Sequence, residues 1–305
     1  MGEIWMIIDI IGAPTAFGQR KPGVALGPDA VRFCSLKEKL EDLGHQVNDL
    51  GNVKGTYGVW AGPTSVKDDE GLINLKEVLD FSKVLADATD ESIEKGHFPF
   101  IIGGDHSLSI GSVAGISKHY DNLGVIWIDA HGDINSSLTS PSGNIHGMPV
   151  GVLLGEGNED LINVHGDGAK IKHENLVIVG ARDLDSGEKA YIKKHNIECY
   201  TMTDIRQNKL SNLIEKALEK LKSCDAIHLS LDVDSLDPIE MPGTGTKVNG
   251  GLFLAELQEA LTTLYRSGRL VSADLVEVNP LLDNGNETAV KAAELTEFIF
   301  GKTQL

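Results

Sequence analysis

Cysteine is scarce. Cys34, Cys199 and Cys224 stand far apart with no C-x-x-C pair, which argues against a thiolate zinc site and gives no disulfide framework. They read as small, part-buried apolar residues in a reducing compartment. Positive charge is also short: 27 Lys and Arg face 45 Asp and Glu, a formal net charge of −18. That balance argues against nucleic acid and anionic membrane as partners, since both are bound by Lys and Arg that displace counterions from phosphate. No apolar run is long enough to span a bilayer. The first, residues 4–12, contains Asp9 and has no basic segment before it, so it reads as a strand. Gly2 follows Met1, but Met6 stands where N-myristoylation needs Ser or Thr. The expected location is the cytoplasm. Repeats, low-complexity tracts and linkers are missing too. The 305 residues, 41% hydrophobic and 24% charged, therefore read as one globular domain, 1–305.

What is present is an alternation of strand and helix patterns. Strands are expected at 3–11, 46–50, 98–102, 123–128, 176–179, 197–200, 226–231 and 270–276. Helices are expected near 28–43, 72–95, 108–119, 146–154, 186–194, 210–222, 253–266 and 287–300. Pro28 suits a first helical turn, and Ser107 can cap the helix that follows it. A loop rich in Gly and Pro fills 12–27, and polar loops fill 52–71 and 134–145. Such alternation predicts an α/β fold: an eight-stranded, mainly parallel sheet with helices on both faces.

Three strand ends carry metal-ligand residue types. The 123–128 strand runs into Asp129-Ala130-His131-Gly132-Asp133. If the chain stays extended there, residues 129, 131 and 133 share one face. The 226–231 strand runs into Asp232-Val233-Asp234, and the 98–102 strand into Gly103-Gly104-Asp105-His106-Ser107. In an open parallel sheet these ends lie along one edge, where ligands bind. A single Asp at a strand end would read as a cap, and a lone His as a core residue; three clusters at three strand ends point to a metal site. Carboxylates and imidazoles without thiolates suit hard or borderline divalent ions, with manganese fitting well. A carboxylate can bridge two ions, so four aspartates and two histidines are enough for two. Two ions would lower the pKa of a bridging water, which makes a hydrolytic site. The long 134–145 loop beside them is expected to serve function.

These three segments, with Ser235-Leu236-Asp237-Pro238 continuing the last, together resemble the signatures of the arginase/agmatinase (ureohydrolase) family. The resemblance spans nearly the whole chain, including Gly27-Pro28 with Ala30 and Arg32, Gly243-Thr244-Gly245-Thr246, Gly250-Gly251 and Glu277-Val278-Asn279-Pro280. It implies a three-layer α/β/α fold with an eight-stranded parallel sheet. It implies two Mn2+ per subunit. One would be held by His106, Asp129, Asp133 and Asp232, the other by Asp129, His131, Asp232 and Asp234, with Asp129 and Asp232 bridging.

The 134–145 loop resembles the arginase branch in particular: Asn135, then Ser140-Pro141-Ser142-Gly143-Asn144-Ile145-His146-Gly147. In that branch the residues matching Asn135, Ser142 and Asn144 contact the α-carboxylate of arginine, directly or through water. The match to Asp185 receives the α-amino group, with Glu188 close by. Neutral amide and hydroxyl donors suit a carboxylate, and an Asp suits an ammonium. The implied reaction is hydrolysis of L-arginine to L-ornithine and urea by a metal-bridging hydroxide. Glu277 would hold the guanidinium, Asp133 would pass a proton to the departing amine, and His146 would shuttle protons or protonate the amine directly. Thr246 is expected to line the site.

Two positions depart from the family pattern. Gly132 sits where Ala or Thr is more usual, and Lys247 where Pro is usual. Both are expected to leave activity intact. Competing readings are an agmatinase or formiminoglutamase with the same metals, a dinuclear phosphoesterase, and a non-catalytic scaffold. Few basic residues near the site weaken the second, and an intact ligand set weakens the third. Relatives suggest a homo-oligomer, a trimer or hexamer.

Overall fold

The computed structural model describes residues 4–54, 67–68 and 70–303. Most of the polar loop expected at 52–71 lies outside the described residues, as do Gly2 and Glu3. Eight strands form one sheet: β1 (Ile7–Ala13), β2 (Gln46–Asn52), β3 (Phe98–Gly103), β4 (Leu123–Ile128), β5 (Leu176–Ala181), β6 (Glu198–Thr201), β7 (Ala226–Asp232) and β8 (Leu270–Val276). Their order is β2-β1-β3-β8-β7-β4-β5-β6, and every pairing is parallel. All eight expected strands are present.

β3, β4, β5 and β7 are buried along their whole length, while the edge strands β2 and β6 are largely accessible. Central strands of a parallel sheet are covered on both faces, and their sequences are accordingly continuous apolar runs. Alternate side chains of β4 serve the two faces. Ile126 and Ile128 join a core cluster with Leu213, Leu257, Leu261 and Phe298, whereas Val125 and Trp127 join another with Val113, Ile116, Val150 and Leu153. Helices therefore cover both faces, which gives the three layers expected.

One helix pair matters for the site. The helix Leu75–Glu94 packs on the helix Ser109–Ser117. A Cβ at Gly111 would stand 2.4 Å from Ser82 O, and one at Gly115 would stand 2.2 Å from Ala86 O. The two glycines, one turn apart, let the backbones touch, and this fixes the helix whose leading turn carries His106.

Several local expectations are corrected. The 28–43 helix is two helices, Gly27–Arg32 and Leu36–Asp42, broken at Ser35 with φ 57°. Cys34 N–H and Ser35 N–H bond back three residues, to Val31 O and Arg32 O, so the first helix tightens and stops. The break turns Leu36 and Leu40 into the core and leaves Phe33 exposed. The 146–154 helix is a 3-10 turn, Ile145–Gly147, followed by Pro149–Leu153. Pro149 disfavours helical geometry at Met148, which sits at φ −127°, ψ −10°. The cap expected from Ser107 comes instead from Asp105, whose side chain accepts the Ser107 amide at 3.0 Å. Two short helices were not expected, Glu159–Ile162 and Met202–Asn208. The second is announced by Thr201 and Asp204, which form a reciprocal capping box.

Candidate active site

The four central strands, in the order β3-β8-β7-β4, end side by side. Here the chain's progress across the sheet reverses, and ligands in open α/β sheets bind at such a point. His106 follows β3, Glu277 follows β8, Asp232 closes β7 with Asp234 after it, and Asp129, His131 and Asp133 follow β4.

The last three do not converge by strand alternation, as an extended chain would have them do. β4 stops at Ile128, the chain bends over residues 129–131, and Asp133 sits in the left-handed region at φ 50°. Glu277 does likewise at φ 66°. Non-glycine residues are held in that region only where their surroundings demand it. Asp129 N–H bonds Val179 O of β5, and Asp133 O accepts Val150 N–H, so the bend is fastened at both ends.

His106 Nδ1 lies 3.0 Å from Asp129 Oδ2, 3.0 Å from Asp133 Oδ2 and 3.2 Å from Asp232 Oδ2. His131 Nδ1 lies 3.3 Å from Asp129 Oδ1 and 3.3 Å from Asp234 Oδ2. Asp129 thus offers one oxygen to each cluster, the arrangement of a bridging carboxylate. Asp232 faces the first cluster through Oδ2. Its Oδ1 accepts the Asp234 amide at 2.7 Å, just as Asp129 Oδ1 accepts the His131 amide at 2.8 Å. The capping reading therefore holds for these aspartates, and it leaves their second oxygens facing the histidines. The bond to the amide two residues on locks the carboxylate that faces the histidines.

The surroundings aim the imidazoles. His106 Nε2 bonds Ser230 Oγ at 2.8 Å, which turns Nδ1 toward the carboxylates and leaves it as the ring nitrogen that could take an ion. The His106 ring stacks on Trp127 at 4.0 Å, and the indole N–H donates to Asp129 Oδ2 at 3.1 Å. Arg182, after β5, donates to the carbonyls of Asp234, Ser235, Leu236 and Val248, pinning the loop that follows β7.

Charge tests whether these residues fit a metal. Burial and the Asp129 charge push the Asp133 carboxyl up to about 7. Asp232 and Asp234 are also raised, by burial and by neighbouring carboxylates. Burial works against a charge on His106, yet Asp129, Asp133 and Asp232 hold it well above the usual imidazole range. His106 Nδ1 nevertheless makes no hydrogen bond among the described residues. Four buried carboxylates and two imidazoles crowd together, with His131 Nδ1 bonding Asp129 Oδ1 at 3.3 Å, and this donor set suits divalent cations. Two groups of ligand atoms meet the spacing for an ion, His106, Asp129 and Asp232, and Asp129, His131 and Asp234.

A cavity of about 220 Å³ opens above the clusters. Asn135, Ser142, Asn144, Asp185, Glu188 and Thr246 line it, with His146. Asn135 Nδ2 donates to Asp185 Oδ2 at 2.8 Å, and Asn135 Oδ1 accepts from Thr139 Oγ1 at 2.7 Å. Ser142 Oγ accepts the Asn144 amide at 3.1 Å, and Asn144 Oδ1 is buried with no hydrogen-bond partner among the described residues. Asp185 and Glu188 cap the helix Ser186–His195 reciprocally, and Glu188 Oε1 also accepts the Gly132 amide at 3.2 Å. Thr246 Oγ1 donates to Asp234 Oδ2. Glu277 is buried beside the cavity, with Oε1 accepting the His106 amide at 3.0 Å and lying 3.2 Å from His146 Nδ1. Lys247 is exposed.

Every residue expected at the site is thus brought together. Sequence reasoning missed Asp183, which lines the cavity 3.9 Å from His131 Nε2. Its place two residues before Asp185, at the end of β5, was the available signal. It also missed the support from Ser230, Trp127 and Arg182.

The profile of the Arginase family matches residues 7–301. The arginase of Bacillus subtilis (strain 168) is 49% identical over 298 residues, covering 98% of this chain and 99% of that one. The arginase of Staphylococcus aureus (strain MRSA252) is 50% identical over 300 residues, covering 98% of each. The solved structure of the arginase from Bacillus caldovelox superposes with a TM-score of 0.94 at 43% identity, over 98% of this chain and 100% of that one. Family profile, relatives and fold agree along nearly the whole length: the chain belongs to the arginase family.

Proposed function

We propose that the chain hydrolyses L-arginine to L-ornithine and urea at a binuclear manganese centre, acting as one ureohydrolase domain over residues 1–305. The observation that carries this is the pair of clusters sharing Asp129, set beneath a cavity that Asn135, Ser142 and Asn144 line with neutral polar groups and Asp185 with a carboxylate. His106, Asp129, Asp133 and Asp232 would hold one ion, and Asp129, His131, Asp232 and Asp234 the other. Two bound divalent ions supply Lewis-acid activation of water.

The chain's own residues do the rest. Glu277 pairs with the planar guanidinium and fixes its carbon against attack. Ser142 and Asn144 offer hydroxyl and amide groups to the α-carboxylate, with Asn135 beside them. Asp185, held by Asn135, receives the α-ammonium, and Glu188 keeps Asp185 in place. Asp133 accepts the proton released by the attacking water and passes it to the departing amine as the carbon–nitrogen bond to the ornithine side chain breaks. His146, at the cavity wall, exchanges protons with solvent. Thr246 orients Asp234.

Among the described residues no helix is long and apolar enough to cross a membrane. A cytoplasmic homo-oligomer, trimer or hexamer, completes the reading.

The test is urea release by metal-stripped protein, with L-arginine and agmatine in parallel, before and after manganese addition. Manganese-dependent urea from arginine alone supports the metals and the carboxylate loop together. Urea from agmatine alone keeps the metals and overturns the roles given to Asn135, Ser142 and Asp185. No urea from either, with manganese bound, overturns the reading.

A further inference from the structure

We infer that Gln19 is a positioning residue for guanidinium recognition: its side-chain amide sets the plane of the Glu277 carboxylate. This rests on the arginine reading above. Gln19 lies in the loop after β1, which the sequence marks only as rich in Gly and Pro, and its side chain is almost fully buried. Gln19 Nε2 donates to Glu277 Oε2 at 2.8 Å. The opposite face of the same carboxylate, Oε1, meets the His106 amide and His146 Nδ1. Among the described residues Gln19 is therefore the donor to Oε2.

The loop is built to hold that amide still. Gly18 N–H donates to the buried Asp105 Oδ2 at 3.0 Å, and Gly18 O accepts the His146 amide at 3.0 Å. Asn74 Nδ2 donates to Phe17 O, and Asn279 Nδ2, two residues beyond Glu277, donates to Pro22 O. The segment bearing Gln19 is thus tied to both Glu277 neighbours, His146 and the strand end of β8.

The chemistry explains why an amide stands there. The last torsion of a Glu side chain is broad, so an unheld carboxylate rotates about it. Gripping a guanidinium through two parallel hydrogen bonds requires that the carboxylate plane be fixed. A neutral donor fixes it without cancelling the negative charge that the guanidinium needs. A Lys or Arg in its place would compete with the substrate for that charge. The amide orientation follows from the same logic, since its oxygen would repel the carboxylate.

Two near-isosteric variants, Gln19→Leu and Gln19→Glu, test the inference. The readouts are KM and kcat for L-arginine, Ki for L-ornithine, bound manganese and melting temperature. Ornithine keeps the α-amino and α-carboxyl groups and lacks the guanidinium. The expected result is a KM for arginine raised about tenfold or more in both variants, with Ki for ornithine and metal content unchanged. Gln19→Glu should be the worse of the two, because it faces one carboxylate with another. If KM and Ki rise together, Gln19 merely supports the cavity and the inference fails; it fails equally if KM does not change. If the unmutated enzyme releases no urea from arginine, the arginine reading falls first and the inference falls with it.

Discussion

The amide of Gly132 donates to Glu188 Oε1, and a Cβ on residue 132 would stand 2.9 Å from that same oxygen. Gly132 lies between two proposed ligands, His131 and Asp133, so this contact couples the metal loop to the helix that presents Asp185. Glu188 has no free oxygen to yield, because Oε2 accepts the Asp185 amide at 2.9 Å. The departure from Ala or Thr at this position is therefore a packing choice: it lets a buried carboxylate come close.

Gly132→Ala is expected to push Glu188 off the 132 amide at a cost of about 1 kcal/mol, one buried hydrogen bond. Part of this is offset by the lower unfolded-state entropy of alanine. Melting temperature should fall only slightly. KM for L-arginine should rise about fivefold, since Asp185 loses its brace. Kinetics on the variant with manganese content measured alongside checks this. An unchanged KM would show that Glu188 can move without disturbing Asp185.

Strand positions, and the residues that meet where the strands end, were legible because both are written in short-range pattern. Apolar runs such as Leu123–Ile128 must be central strands, and the polar residues ending them must meet at the sheet edge. Backbone conformation at the site was not legible. Asp133 and Glu277 adopt positive φ, which no periodicity announces; backbone bonds to distant residues, Val150 N–H to Asp133 O and Glu277 N–H to Gly104 O, hold them there. The break at Ser35 was hidden for a similar reason, since the 28–43 pattern suits a helix and only burial of Leu36 and Leu40 against other elements decides otherwise. Long-range supports such as Gln19 and Arg182 leave no trace in periodicity at all.

Ser142→Ala separates substrates more cleanly than Asn135→Ala. Among the described residues Ser142 Oγ bonds only within its own loop, to the Asn144 amide and Ser140 Oγ. Asn135 instead holds Asp185, so removing it also frees the ammonium acceptor. Ser142→Ala is expected to raise KM for arginine about tenfold, the loss of one hydrogen bond to a charged group. KM for agmatine, which has no carboxylate, should not move. Equal losses on both substrates would remove Ser142 from carboxylate recognition.

His146→Asn is expected to lower kcat about 100-fold, the scale of one positioned acid or base. Burial works against a charge on His146, but Glu277 beside it raises the imidazole above its usual range. The shift favours the protonated form, the form that can serve the departing amine. Asn keeps the backbone bond from residue 146 to Gly18 O and a side-chain donor, so bound manganese and ornithine inhibition should persist. A variant that retains full kcat would show that Asp133 delivers its proton unaided.

Removing the metals should make folding stability depend on pH in one direction. In the metal-free chain the Asp133 carboxyl titrates at about 7, above its unfolded range, so its contribution favours the folded state when protonated. That contribution is complete below about pH 4 and is lost as pH rises to 7, a change of roughly 4 kcal/mol at most. Asp232 and Asp234, raised by burial, act with the same sign, and so do His106 and His131, raised by their carboxylates against burial. Asp129 opposes them: burial works the other way, but the two imidazoles hold it below its usual range, so its share is lost as pH falls. Divalent ions bound to the cluster would cancel the carboxylate repulsion and add binding free energy to the folded state. The difference in melting temperature between manganese-loaded and chelator-treated protein should therefore be small at pH 5 and wide at pH 8. Two parallel curves across that range would mean that the carboxylates are neutralised by some other means, and that the clusters are not where the metals bind.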